Sequence, residues 1–197
     1  MRSLCISFCG FADDKKTILE SQARYAKGNF ELDIAGQIYA IVAKNGNDKL
    51  FKEMISKYEK SSDPESKIKL LSGLYYFNKE EILTKALDYG LSEKVRPQDI
   101  LYIFRSAFSN PTCQKIILNW AKNNWINFKK HEDNKYLMRE FIDTLIISQV
   151  KESTKAEIKE FFQKDKVPYE IVKANAFEIL DMNLKFIEKN RDFLKNY

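Results

Sequence analysis

The sequence predicts an all-α fold, an irregular HEAT- or armadillo-like α-solenoid built of antiparallel helix pairs. Apolar residues recur at helical spacing along almost the whole chain. Only six glycines and four prolines are spread over 197 residues, too few for the turns of a sheet protein. Helix starts and stops divide the chain into pairs that step at roughly thirty residues, a period typical of stacked helical repeats.

The first pair is predicted at residues 2–11 and 14–27, closed by Gly28, which can take the left-handed conformation past a helix end. Residues 33–44 follow, stopped by Asn45-Gly46, and then 48–60, with Leu50, Phe51, Met54, Ile55 and Tyr58 on one face. Asp63-Pro64-Glu65 starts the third pair, with Asp63 as N-cap and Pro64 in the first turn, and Ile68, Leu71, Leu74 and Tyr75 point inward. Asn78 caps the next helix, whose Ile82, Leu83, Ala86 and Leu87 precede Gly90. A fourth pair covers 97–108 and 111–129, the second helix starting at Asn110-Pro111. A fifth covers 134–150 and 153–163, and Pro168 starts a long last helix that reaches Asn196. One elongated domain, residues 1–197, is the simplest organisation.

Net charge is +5, from 33 basic and 28 acidic residues mixed throughout. That mixture describes a solvated surface, so no nucleic-acid partner is expected. No apolar run approaches the roughly 18 residues of a membrane span, and the first eleven residues read as a helix, not a signal peptide. Three cysteines cannot all pair within one chain. Cys5 and Cys9, one turn apart among Leu4, Ile6 and Phe8, read as small buried apolar residues in a reducing, cytoplasmic compartment.

The chemistry of a hydrolase is missing. A metallopeptidase helix needs two histidines one turn apart with a glutamate beside the first, and His131 is the single histidine. No nucleophile elbow or phosphate-cradling loop occurs. Glu80-Glu81 and Asp13-Asp14 stand in first turns, where negative charge favours exposed N–H groups. Tyr75-Tyr76-Phe77, Trp120 and Trp125, without interleaved arginines, read as core. The chain alone is expected to be inactive, with no cofactor and no catalytic residue.

One ordered series of residues remains: Arg96-Pro97-Gln98-Asp99, then Ser109-Asn110-Pro111, then Trp120 and Asn124-Trp125. With Lys67 to Leu74 before it, and Phe161-Phe162 and Asn183-Leu184 after it, this order resembles the C-terminal helical-repeat domain of the gluzincin zinc aminopeptidases. That group includes aminopeptidase N, the puromycin-sensitive and endoplasmic reticulum aminopeptidases, and the tricorn-interacting factors. The resemblance implies a non-catalytic domain that closes over a peptide chamber and restricts access, with zinc held in the parent's catalytic domain. It implies further that Met1 begins a fragment or a split gene covering the distal part of that domain. Partners would be the parent's catalytic domain and its peptide substrate. A repeat cut at Met1 would also expose an apolar face and self-associate around Leu4, Ile6 and Phe8. Lys135 and Arg139 fall nearest to a position that faces the pocket in some relatives. Arg96, Asp99, Asn110, Pro111, Trp120 and Trp125 are assigned to architecture, with Arg96 and Asp99 fixing a turn through charge-assisted hydrogen bonds. The alternative is a free-standing HEAT-like scaffold that binds another protein.

Overall fold

A computed structural model describes residues 1–28, 30–108, 110, 113–130 and 132–195, without the side chains of the last two. Ser109, Pro111, His131 and Asn196, which the sequence reading used, lie outside the described residues. The described residues are all-α and solenoid-like. In order they form α1 (Arg2–Phe11), α2 (Lys15–Lys27), α3 (Leu32–Lys44), α4 (Asp48–Lys60), α5 (Pro64–Leu74), α6 (Glu80–Gly90), a 3-10 turn (Pro97–Asp99), α7 (Ile100–Phe108), α8 (Gln114–Asn123), α9 (Trp125–Lys129), α10 (Lys135–Ile147), α11 (Glu152–Lys164) and α12 (Glu170–Lys195). They fall into two compact units, Met1–Cys113 and Gln114–Tyr197.

Local chemistry explains most boundaries. Asp14, Asn47, Asp63 and Asn134 each accept a backbone N–H three residues on, which caps α2, α4, α5 and α10. Gly28 ends α2 at φ +65. The helix expected at 111–129 is interrupted. It divides at Asn124 into α8 and α9, and the Asn124 amide donates to the Trp120 carbonyl at 3.0 Å. The expected cap at Asn78 differs too: α6 starts at Glu80, with Lys79 in the cap position.

In the first unit the odd-numbered helices make a ladder. α1 packs on α3, α3 on α5 and α5 on α7, while α2, α4 and α6 each pack against the odd helix that follows. Each helix thus packs against a sequence neighbour or next-neighbour, the logic of a solenoid. Gly73 sets the spacing of the central rung. A Cβ placed there would stand 2.7 Å from the Tyr39 Cβ and 3.0 Å from the Met54 Cε, so the α5 backbone approaches α3 and α4 only because no side chain intervenes.

α1 corrects one expectation. Ser3, Ile6, Ser7 and Gly10, at i, i+3, i+4 and i+7, form its inward side, and Gly10 sits on Ile41. Cys5 and Cys9 therefore face outward and are exposed, as are Leu4 and Phe8, whereas Cys113 is buried. Small residues allow α1 and α3 to approach closely, and the more apolar side of α1 is left facing solvent.

In the second unit, α10 packs on α12 and α8 on α9. The core is an aromatic stack: Trp120 meets Phe128 edge-on at 5.5 Å, Phe128 stacks on Phe141 at 4.2 Å, and Trp125 lies between Phe141 and Phe161 at 6.0 and 5.9 Å. α12 joins it through Phe177 against Phe162.

Two glycines give opposite stability effects. Gly36, whose nearest foreign atom from an added Cβ is 3.9 Å away, should gain about 1 kcal/mol as Gly36→Ala through helix propensity. Gly73→Ala should lose about 1–3 kcal/mol from overpacking despite the same propensity gain. Urea unfolding of the two variants checks the pair of signs.

Candidate functional site

Of the motif series, Arg96, Asp99 and Asn110 lie towards the end of the first unit. Arg96 lies on the approach to the 3-10 turn, and its guanidinium grips Asp99 with Nε to Oδ2 at 2.7 Å and Nη2 to Oδ1 at 3.2 Å. The Asp99 N–H returns a bond to the Arg96 carbonyl at 2.8 Å. Asp99 is buried and Arg96 half-exposed, so the pair closes the turn as a two-pronged, charge-assisted clamp. Asp99 raises the Arg96 pKa through that hydrogen bond and its charge. Burial, with the Asp99 charge adding to it, pushes the nearby Tyr58 phenol upward.

Asn110 is buried, and its amide donates to the Tyr75 carbonyl at 3.2 Å. Cys113 Sγ contacts the Phe77 carbonyl at 3.8 Å. The segment after α7 is therefore tied to the turn after α5 at two carbonyls. Tyr75 and Phe77 are fully buried, and burial raises the Tyr75 phenol well above its ordinary value. Trp120 and Trp125 belong to the second unit's aromatic stack and present no ring face for a ligand to stack on.

Lys135 and Arg139 occupy the first and second turns of α10, one turn apart and both exposed. They present two positive charges on one surface of α10. Glu80 and Glu81 lie in the first turn of α6. Among the described residues, no three of His, Cys, Asp and Glu stand together to hold a metal ion, and no helix is long and apolar enough to cross a membrane.

Some polar anchors have no visible sequence signal. Lys44, nearly buried, donates to the Phe11 carbonyl at 3.0 Å and to Asp13 Oδ1 at 2.7 Å, which holds Asp13 at φ 62. Lys173, also buried, donates to the Val167 carbonyl at 2.5 Å and Glu170 Oε1 at 2.6 Å, beside Lys166 and Tyr169, which both have positive φ. In the second unit, Glu157 on α11 accepts from Lys115 at 2.5 Å and Lys122 at 2.9 Å on α8. A lysine on an amphipathic helix ordinarily reads as solvated, so only the fold reveals these contacts.

Removing one member of the Arg96–Asp99 clamp should cost more than removing both. Arg96→Ala leaves the Asp99 carboxylate buried without its partner, and the double variant Arg96→Ala/Asp99→Ala should recover part of the lost thermal midpoint. A thermal-melt double-mutant cycle reads this. Glu157 gives a pH-dependent signature. Hydrogen bonds from Lys115 and Lys122 lower its pKa below the ordinary 4.5, so the folded state binds that proton less readily than the unfolded chain. Its stabilisation is complete above the ordinary value and fades as pH falls through the depressed folded one. Glu157→Gln should therefore lower the melting midpoint at neutral pH, with the difference from the unaltered chain shrinking below pH 4.5.

Comparison with known proteins identifies the family. The profile of the ERAP1-like C-terminal domain matches residues 1–178. Endoplasmic reticulum aminopeptidase 2 of Bos taurus is 26% identical over 193 residues, covering 93% of this chain and 20% of that protein. Aminopeptidase N of Lactobacillus delbrueckii subsp. lactis is 28% identical over 123 residues, covering 60% and 15%. Leucyl aminopeptidase of Saccharolobus solfataricus is 25% identical over 118 residues, again covering 60% and 15%. The chain thus spans a fifth or less of the length of these relatives. On the match across residues 1–178, the chain belongs to the ERAP1-like C-terminal domain family.

Proposed function

We propose that this chain closes over the active-site chamber of a zinc-dependent aminopeptidase and restricts which peptides enter. The single observation that carries the reading is the family match over residues 1–178, with aminopeptidases as the relatives. In this reading the hydrolytic zinc belongs to the parent's catalytic domain, and this chain supplies walls. Lys135 and Arg139, exposed one turn apart on α10, face the chamber and attract the carboxylates of a peptide. The outward side of α1, with Leu4 and Phe8 exposed, is the surface that neighbouring helices of the enzyme cover. In the isolated chain it is open to a second copy. Three free cysteines, two of them exposed, suit a reducing compartment and support a cytoplasmic location.

The purified chain should release no amino-terminal residue from aminoacyl-arylamides. Expressed together with the catalytic part of a zinc aminopeptidase of this family, it should change the rate on long peptides relative to short ones by several-fold. Lys135→Glu/Arg139→Glu should raise KM for peptides and leave arylamide hydrolysis unchanged. Hydrolysis by the chain alone, or a length profile that ignores its presence, overturns the reading.

A further inference from the structure

α12 has two faces. Lys173, Ala176, Leu180 and Leu184 are buried along one side. Ile171, Ile179, Met182, Phe186 and Phe193 are 78, 42, 65, 66 and 61% exposed. At about 100° per residue these five fall within an arc of about 80°, roughly opposite the buried side, over about 33 Å of helix. The steps 179, 182, 186 and 193 follow a heptad seam, interrupted at Lys189. The solvent side of an amphipathic helix is ordinarily polar. This one presents an apolar stripe, broken by Asn175 and Lys189.

We propose that the outer stripe of α12 is a homodimer interface, in which the helices of two copies pair antiparallel about a two-fold axis. The charges beside the stripe favour this occupant. Glu178 and Lys185, both exposed, lie one heptad apart on the same flank. With Ile179 against the second copy's Met182, antiparallel geometry sets Glu178 beside the second copy's Lys185, and the symmetry repeats the pair. The same register brings Phe186 beside the second copy's Asn175, one turn from its Ile171. Two-sided burial of the stripe amounts to on the order of 1,000 Å², the lower range for a specific interface. A lipid surface fits less well, because the flanking Glu178, Lys185 and Asp192 alternate in sign, whereas membrane-surface helices carry a basic polar face.

The test is sedimentation equilibrium of the full chain under reducing conditions, in a Leu4→Glu/Phe8→Glu background that removes association through α1. The expected result is a concentration-dependent dimer. Phe186→Glu, at an exposed position that leaves the fold intact by circular dichroism, should raise its dissociation constant about tenfold or more. Glu178→Lys and Lys185→Glu should each weaken the dimer, and the combined swap should restore it. A monomer at the highest soluble concentration overturns the proposal. So does a dimer indifferent to Phe186→Glu, a combined swap no better than the single changes, or a monomer that instead binds phosphatidylcholine–phosphatidylserine vesicles through Phe186.

Discussion

Everything in the first unit depends on how closely α5 can lie against α3. In an array without sheets, a helix buries its apolar side only against the helices beside it, so one spacing error propagates to each later rung. Gly73 holds that spacing by leaving room where the Tyr39 and Met54 side chains press in. Gly10 does the same for α1 on Ile41, and Gly90 brings α6 against Ile103 and the Tyr75 hydroxyl. The ladder of odd helices is therefore set by missing side chains as much as by the leucines and isoleucines that fill it. The second unit solves the same problem differently, with large rings from Trp120 to Phe177 interlocking along its core.

Most of the architecture was legible in the sequence because its signals are local. The cap at Asp63, the left-handed Gly28 and the apolar stripe of α4 need only neighbouring residues to act, and each appears where those signals put it. Where the reading went astray, tertiary packing decided. The inward side of α1 holds Ile6 among two serines and a glycine, so most of its apolar residues, Cys5 and Cys9 with them, lie on the solvent side. Asn124 breaks a continuous helical pattern into α8 and α9, and nothing in the spacing marks that break.

The candidate site divides in the same way. Arg96 and Asp99 are three residues apart, so their clamp lies within reach of local reasoning, and its distances are those of a two-pronged salt bridge. Asn110 reaches a carbonyl 35 residues away, and Glu157 joins lysines 42 and 35 residues away. Such pairings have no sequence pattern to announce them. Lys135 and Arg139 stand exposed on α10, and their chemistry depends on what they meet beyond this chain.

The two lysine anchors differ in how far they reach along the chain. At residue 13 and again at 166 and 169 the backbone takes positive φ without a glycine, a conformation these residues do not favour by themselves. Each turn is held by an ammonium from a helix outside it, Lys44 of α3 or Lys173 of α12. The α11–α12 hairpin carries its own anchor, since Lys173 lies on α12 six residues from Val167, whereas the α1–α2 hairpin borrows its anchor from α3. The corner between α1 and α2 thus takes its anchor from 31 residues further along the chain, so loss of the Lys44 ammonium would be felt in the backbone of a hairpin to which Lys44 does not belong.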